Sequence, residues 1–450
     1  MELEAAKKLL KKMDSIDNNP ATNFDIGLRY YLNENDIINK EDRFNDKKSP
    51  LRRADNRISS NFHQLLVDQK VNYLVSIKPD LDLGKDELNK KLTDQLGSSF
   101  DNVLQQLAIN ASLGGVGWLH VWNGEKDGKF NYAVVRTNQI RAIYNNDIER
   151  DLLAVIRTYK NIDEDGNEYT YTEYWDKESV SYFKHKSNID NMVINDRITI
   201  QPDEFLNETK SVNTIDHHFG RVPFIFFNNN YMQTPDLIRY KGQIDAYDNV
   251  YNGFMNDLQD IEQIILVLKG YEGTELDEFW DMIKSQVVKI GDEETANGAG
   301  LDKLTIDIPV EARNSFLDRT FDDIFVKGQG VNPTKLELGN NSGVAIKMLY
   351  TQLELKASQV EAQFRPALER LVKFAMFGQV ADVERLTVEQ TWHRASISNK
   401  LEQADIISKL ATITSEEAIA KANPLVTDWK QEIKDRQSEP HGDGYKIEND

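Results

Sequence analysis

The apolar positions of residues 312–378 recur every three or four residues in two separate stretches. This spacing places the apolar side chains on one face of a helix. It predicts a helix over 312–327 and a longer helix over 342–378, which Pro366 should kink. Between them lies 328–341, GQGVNPTKLELGNN. Connections of this length are usually functional or disordered.

The same periodicity predicts helices over 55–76, over two parts of 85–113 and over 237–262. Thr234-Pro235 suits the start of the last of these. Its apolar residues form a heptad seam, whereas its other side is polar and carries Asp245 and Asp248. Two interpretations of the polar side have equal weight. It is either the solvated face of a core helix or a face related to a channel.

Alternating or continuous apolar runs predict a β-rich segment at about 117–227. Its expected strands are 117–122, 131–143, 155–159, 169–175, 180–184, 192–194, 198–200 and 222–227. A small α/β module is expected over 263–311, with strands at 264–269, 287–290 and 304–308 and a helix at 276–285. The pattern of residues 379–436 predicts further helices. Residues 437–450 lack a core pattern and are predicted to be disordered.

Composition removes several classes of protein. The 450 residues include no cysteine, so disulfides and thiolate metal sites are excluded. No apolar run is long enough for a membrane span, and no secretory signal is predicted. The net charge of −20 argues against a DNA clamp. It suits a conduit that DNA slides through, but acidity that only maintains solubility fits as well.

Chemical motifs are lacking. The sequence contains no Walker A loop, no H-E-x-x-H and no dinucleotide fingerprint. Adjacent His217 and His218 would point to opposite faces of a strand, which makes a poor metal site. His63 is expected to be structural. We therefore predict no catalytic residue, no cofactor and no metal, and consequently no enzyme.

Several segments resemble one known family in their order along the chain. They are Asn341–Lys347 (NSGVAIK) preceded by Gly330–Pro333 (GVNP), residues 30–38, residues 55–76 and 240–262, and residues 401–436. These segments resemble the portal proteins of tailed bacteriophages, and most closely those of siphophages that infect Gram-positive bacteria. The β-rich segment and the module at 263–311 match weakly.

The resemblance implies an α+β, mainly helical subunit that assembles into a ring. Its expected parts are a wing (1–236), stem helices (237–262 and 312–327), a clip (263–311), a tunnel loop (328–341), a long kinked wing helix (342–378), a helical crown (379–436) and a disordered tail (437–450). The expected tunnel-loop residues facing DNA are Val331, Asn332, Thr334, Lys335, Glu337 and Asn340. The expected channel face of the stem comprises Asp318, Asp322, Asp245 and Asp248.

The implied function is a ring channel at one capsid vertex through which DNA is packaged and ejected. The implied partners are other copies of the chain, about twelve in the virion, and double-stranded DNA bound without sequence specificity. They also include the terminase large subunit, the head-completion adaptor, and capsid and scaffolding proteins, but no membrane. The expected location is the portal vertex of the virion, after assembly in the bacterial cytoplasm.

Helix dimensions agree with this expectation, because about twelve helices of about 10 Å diameter enclose an opening of roughly 28 Å, wide enough for a duplex. Two alternatives remain at this stage. One is a metal-dependent nuclease that uses scattered carboxylates. The other is a helical scaffold or adaptor that binds only protein.

Overall fold

A computed structural model describes most of the chain. The described residues are 1–14, 20–40, 54–124, 128–148, 150–163, 165–202, 207–260, 265–269, 300–304, 309–335, 343–395, 408–409, 414–423, 426 and 429–438. The helix expected at 276–285, the strand at 287–290, most of the helix expected at 401–411 and most of the tail 437–450 lie outside them. Within the described ranges, no helix has both the length and the apolar content needed to cross a membrane.

Helices form where apolar residues recur at intervals of three or four, as the sequence predicts. The described α-helices are α1 Leu3–Asp14, α2 Pro20–Tyr31, α3 Phe62–Val75, α4 Asp86–Leu96, α5 Phe100–Gly114, α6 Lys241–Asp260, α7 Val310–Gly328, α8 Gly343–Ala375, α9 Glu416–Ala422 and α10 Trp429–Ser438. Short 3-10 turns lie at Thr137–Gln139, Ile189–Asn191, Leu237–Arg239, Pro333–Lys335 and Val383–Arg385.

Strands occupy most of the segment between α5 and α6, and the α+β class predicted from the sequence is confirmed. The described strands are β1 Asp80–Asp82, β2 Val116–Asn123, β3 Phe130–Val135, β4 Ile140–Tyr144, β5 Leu152–Ile162, β6 Glu168–Trp175, β7 Ser179–His185, β8 Val193–Ile194, β9 Arg197–Pro202, β10 Asn207–Val212, β11 Thr214–Asp216, β12 Phe224–Asn228, β13 Ile265–Lys269, β14 Gly300–Leu304 and β15 Glu389–Thr391. Every pairing among the described strands is antiparallel.

The main core lies where α3, α5 and α8 pack against the sheet β12–β2–β3. The apolar stripe of α8 supplies Leu353, Ala357, Phe364 and Leu371, all buried. Gly117 of β2 is needed for this packing, because a Cβ there would lie 2.6 Å from the Leu107 carbonyl oxygen of α5. The spacing that predicted a long helix over 342–378 thus marks the residues that α8 buries.

A second sheet extends from this core in the order β11–β7–β6–β5–β4, with β8 paired to the side of β7. Its inner face packs Val155, Trp175 and Val180 against Trp118 and Phe224 of the first sheet. The strand expected over 131–143 is interrupted, because the 3-10 turn Thr137–Gln139 carries the chain from β3 in one sheet to β4 in the other.

Helices α6 and α7 lie together and meet the start of α3. Phe62 of α3 packs edge-on against Tyr247 of α6 and Phe321 of α7, and the buried residues Ile244 and Ile324 complete the cluster. Along α6 the heptad seam is buried only near its start, since Tyr251 and Leu258 are exposed. The far end of this helix pair therefore presents apolar side chains at its surface.

Three predicted elements have different bounds in the structure. Residues 54–61 are irregular rather than helical, so α3 begins only at Phe62. The helix expected from 237 begins at Lys241, because the Asp236 backbone N–H donates to the Ser112 carbonyl and ties the preceding turn to α5. Of the strand expected at 304–308 only Leu304 is described, and it ends β14, which begins at Gly300, and pairs with Ile265.

The helical character predicted for 379–436 is wrong for its first part. Residues 389–391 form β15, which pairs with β1, and Val383–Arg385 is only a 3-10 turn. The Arg365 guanidinium donates to the Gln390 carbonyl, and the Gln390 amide donates back to the Arg365 carbonyl. These contacts with α8 fix an extended conformation that the local pattern does not predict.

Candidate nucleic-acid channel: helix α7 and the loop that follows

Helix α7 has one buried face and one exposed face. Ile324 and Phe325 are buried against α3 and α6, and the Arg313 guanidinium donates to Asp257 of α6 at 2.5 Å. On the other side Asp318, Arg319 and Asp323 are exposed. The helix is therefore anchored along one side and offers a charged surface along the other.

The C-terminus of α7 is closed by a left-handed residue. Gln329 has φ 53°, its N–H donates to the Val326 carbonyl, and the Gly330 N–H donates to the Phe325 carbonyl. This pair of bonds is a Schellman motif. Gly328 and Gly330, on either side of Gln329, allow close packing against Leu66 of α3. A Cβ on Gly330 would lie 2.3 Å from Leu66 Cδ2.

The loop after α7 is fixed at its first residues. The Gln69 side-chain amide of α3 pairs with the backbone of Val331 in both directions, at 2.9 Å to the carbonyl and 3.0 Å from the N–H. The Val331 side chain is only 5% exposed. The prediction that Val331 faces DNA is therefore wrong, since that side chain is held inside the protomer.

The next residues fold back on α7. The Asn332 amide donates to Asp322 Oδ1 at 2.8 Å, and Lys335 Nζ forms an ion pair with Asp322 Oδ2 at 3.1 Å. Asn332 Oδ1 accepts from the Thr334 N–H and hydroxyl. Four predicted site residues thus form one cluster: Asp322, Asn332, Thr334 and Lys335. The predicted residues Glu337 and Asn340 lie outside the described residues.

The two aspartates predicted on α6 lie in another environment. Asp245 accepts from the Tyr30 hydroxyl at 2.5 Å and from Lys241 at 2.8 Å. Asp248 is 2% exposed and accepts from the Asn35 amide and the Ser60 backbone N–H. Burial raises the pKa of Asp248 despite those bonds. An enclosed carboxyl cannot line a channel between subunits, so the prediction for Asp248 is wrong.

Comparison with known proteins assigns the chain to a family. Residues 10–443 match the family described as "Phage portal protein, SPP1 Gp6-like". The chain belongs to this portal family. The resemblance stated from the sequence is thereby confirmed, as is the function of a portal protein. The family is structural rather than enzymatic, and its members belong to the virion.

Two curated relatives of this portal subunit are portal proteins. That of Clostridium phage phiCD119 is 37% identical over 425 residues, covering 89% of each chain. That of Bacillus phage SPP1 is 28% identical over 420 residues, covering 90% of this chain and 81% of the relative. A solved structure, the neck of an empty GTA particle, has 10% identity and a TM-score of 0.47, and covers 81% of this chain and 90% of that one. A likeness of that degree carries no structural conclusion.

This portal subunit also contains a buried ionic centre that the sequence-based reasoning missed. Lys70 of α3 donates to Asp236 at 2.6 Å and to the Asn229 side chain at 2.7 Å. Lys356 of α8 lies 3.1 Å from the same carboxylate and donates to the Gly328 carbonyl at 2.9 Å. The centre therefore joins α3, α8, the C-terminus of α7 and the turn before α6.

Electrostatics within the centre are dominated by the two lysines. Burial lowers the pKa of Lys70 to about 8. Burial alone would raise the pKa of Asp236, but Lys356 and Lys70 outweigh it and hold that pKa well below its usual range. A sequence signal for the centre exists, because Lys70 falls on the stripe of Leu66 and Leu74 and is buried with them.

The histidines have structural surroundings. His63 is buried with Nδ1 at 2.8 Å from the Tyr240 hydroxyl, and burial lowers its pKa to about 3. His217 follows β11 rather than lying in a strand, and its Nε2 lies 2.9 Å from the Asp176 carbonyl. Among the residues that the structure describes, no three His, Cys, Asp or Glu side chains converge as a metal site would require.

Proposed function

We propose that copies of this portal subunit close into a ring of about twelve, and that the exposed face of α7 lines the channel through which double-stranded DNA passes. The observation that carries the proposal is the two-sided character of α7. One side is packed against α3 and α6 within the protomer, whereas Asp318, Arg319 and Asp323 are left exposed on the other. A helix that lines a channel needs one face packed against its own subunit and a polar face towards the channel.

The charge of the subunit supports sliding rather than gripping. Each copy carries a net charge of −20, so a ring is strongly anionic. Affinity for duplex DNA rises with the number of phosphates that lysine and arginine neutralise. The loop 328–341 contains a single basic residue, Lys335, and Arg319 on the α7 face lies between the acidic residues Asp318 and Asp323. Contact of each subunit with DNA is therefore weak and sensitive to salt, which lets the duplex move.

The loop reaches the DNA through the residues beyond its fixed root. Asn332, Thr334 and Lys335 are the polar residues next to the α7 surface, and Glu337 and Asn340 follow them in the sequence. Val331 is not one of these residues, because it anchors the root on Gln69. The loop thus narrows the opening that the α7 helices leave.

The remaining parts take the roles implied by family membership. The clip, 263–311, contacts neighbouring subunits, the terminase large subunit and then the head-completion adaptor, and the crown and wing face capsid and scaffolding proteins. Assembly takes place in the host cytoplasm before the ring enters the virion. Residues 379–395 belong with the wing rather than the crown, since β15 pairs with β1.

Charge reversal on the α7 face tests the channel. We expect rings of the Asp318→Lys variant to assemble, to show a central opening by negative-stain electron microscopy, and to package DNA at most about a tenth as fast as wild type at low salt. The reason is that each subunit then adds a cation that binds phosphate. The matched control is Asp94→Lys, which makes the same change on the exposed surface of α4.

Two results would contradict the proposal. One is a purified wild-type protein that stays monomeric or forms particles without an opening. The other is equal packaging by the Asp318→Lys and Asp94→Lys variants. The first would remove the ring itself, whereas the second would leave a ring whose channel is lined by another element.

A further inference from the structure

The single cation of the loop 328–341 is held by a carboxylate of the helix that the loop follows. Lys335 Nζ lies 3.1 Å from Asp322 Oδ2, and the other oxygen of that carboxylate, Oδ1, accepts from the Asn332 amide at 2.8 Å. Both oxygens of Asp322 are therefore occupied by groups from one short stretch of loop. A carboxylate that receives two donors in this way resembles a phosphate in its contacts.

The local backbone places Lys335 against α7. Pro333–Lys335 is a single 3-10 turn, in which the Lys335 N–H donates to the Asn332 carbonyl at 3.2 Å. Asn332 Oδ1 accepts from the Thr334 N–H at 2.9 Å and from its hydroxyl at 2.8 Å. The amide of Asn332 thus bridges the turn and the Asp322 carboxylate. This geometry turns the lysine back onto the helix.

The ion pair is accessible and weak. The side chains of Lys335 and Asp322 are 57% and 46% exposed. Ion pairs of this kind contribute little to stability because water screens them and the side chains lose freedom. A competing anion of the same shape and higher charge density can therefore replace Asp322 without disturbing the core of the protomer.

We propose that Asp322 is an internal counter-anion for Lys335, which DNA phosphate must displace before the loop can bind it. This inference rests on the proposed function, because it needs the α7 surface to lie beside DNA. Asp322 is a positioning residue that keeps the loop cation engaged with the protein. By pairing with Lys335, Asp322 lowers the affinity of every subunit for the duplex. The channel therefore contains a loop cation that does not hold the DNA in place.

Two aspartates on α7 allow a matched comparison. Asp318 lies one turn before Asp322 on the same helix and makes no hydrogen bond or ion pair with any residue of the described ranges. Replacing either aspartate by asparagine removes one negative charge per subunit at nearly the same position. Only the change at Asp322 frees Lys335 from its ion pair. The asparagine at position 322 can still accept a hydrogen bond from Asn332.

The test measures binding of a fluorescein-labelled linear duplex to purified full-length rings by fluorescence anisotropy, over about 50 to 200 mM salt. We expect the Asp322→Asn ring to bind about threefold or more tightly than wild type at the lowest salt, with a steeper salt dependence. The Asp318→Asn ring should show a smaller gain. Adding Lys335→Met to Asp322→Asn should cancel the gain.

Equal affinities of the Asp322→Asn and Asp318→Asn rings would overturn the inference, because the effect would then be one of net charge alone. A gain that persists in the Asp322→Asn/Lys335→Met ring would also overturn it. A merely structural pair would change the thermal midpoint without changing the salt dependence. Wild-type rings that lack an opening would refute the proposed function instead, so the two failures are distinguishable.

Discussion

Two lysines occupy positions on the apolar faces of α3 and α8 where an apolar residue would fit the spacing. Lys70 lies between Leu66 and Leu74, and Lys356 lies between Leu353 and Val360. Burying an ammonium group is unfavourable unless a carboxylate and further hydrogen-bond acceptors surround it. Asp236 serves both lysines here, and the Gly328 carbonyl accepts from Lys356. Removal of one member leaves the remaining buried groups with fewer compensating contacts.

The Lys356→Met variant should lose about 3–5 kcal/mol of unfolding free energy. Methionine fills a similar volume, but the Gly328 carbonyl loses its donor and Asp236 keeps only Lys70 and the Asn229 amide as partners. Lys373→Met is the matched control on the same helix, because Lys373 pairs with Glu369 near the surface and should lose less than about 1 kcal/mol. Chemical denaturation followed by circular dichroism compares them. Equal losses would show that the buried centre is not stabilising.

The buried His63 makes stability depend on pH. Burial lowers its pKa from 6.5 to about 3, with Asp236 acting in the opposite direction and Lys356 and Lys70 in the same direction. The unfolded chain binds a proton at this histidine below pH 6.5, whereas the folded chain stays neutral until about pH 3. The contribution is therefore complete above pH 6.5 and is lost as the pH falls from 6.5 towards 3.

Acidification from pH 7.5 to pH 5 should cost about 2 kcal/mol of unfolding free energy through His63. The His63→Asn variant keeps a polar atom near the Tyr240 hydroxyl and removes the titrating ring. We expect it to be less stable at pH 7.5 but to show a smaller drop between the two pH values. Denaturation midpoints of both proteins measure the difference. Parallel pH profiles would exclude His63 as the source.

At the scale of elements, side chains of α6 bind the backbone of the irregular segment 54–61 at alternate residues. Asn256, Asn252 and Asp248 accept from the backbone N–H groups of Asn56, Ile58 and Ser60. Four helical residues rise about 6 Å, and two extended residues advance by a nearly equal distance. Side chains one turn apart on α6 therefore match alternate residues of the segment. The polar face of α6 binds backbone within the protomer.

Removing one of these side chains should release part of the segment. In the Asn252→Ala variant the Ile58 N–H and carbonyl both lose their partner, and we expect about 1–3 kcal/mol less protection of the Ile58 amide in hydrogen exchange. Gln243→Ala is the control, since its side chain makes no hydrogen bond within the described part of the chain. Unchanged protection at Ile58 would contradict the pairing.

The sequence predicts the elements that have a clear local pattern. It does not predict the elements whose conformation depends on tertiary contacts. Helices α7 and α8 follow from their own apolar periodicity, because each buries a stripe that its sequence displays. The non-helical conformation of 54–61 depends instead on α6 side chains far away in sequence. Likewise, burial of Val331 requires Gln69 of α3. No local signal encodes partners of that kind.

The candidate site divides in the same manner. Family resemblance and helix spacing place Asp318 on the surface of α7, where the structure also has it. The same two signals cannot distinguish Asp322, which forms an ion pair with Lys335 at the surface, from Asp248, which is buried. Both are aspartates on the polar side of an amphipathic helix. Their difference arises from which loop or segment packs on that side.

At the scale of the whole molecule, the chain after α8 returns to the N-terminal half and closes the subunit. Strand β15 pairs with β1, and the Ala395 N–H donates to the Tyr73 carbonyl of α3. Arg394 donates to Glu354 and to Glu361 of α8. Residues 386–395 therefore join α8 to two elements that precede it by about three hundred positions. This closure places residues 386–395 with the body of the subunit.

Two shortened chains should separate the crown from the body of the subunit. A chain ending at Gly378 lacks β15, Trp392 and Arg394, so β1 loses its only described strand partner, and Glu354 and Glu361 lose their contacts with the Arg394 guanidinium. We expect it to lose more than about 3 kcal/mol of stability and to assemble poorly. A chain ending at Ala395 keeps every one of those contacts. Its thermal midpoint should lie within a few degrees of wild type, and negative-stain images should still show rings. Similar midpoints for both chains would mean that the returning segment adds nothing to the body, and that the boundary lies at the end of α8.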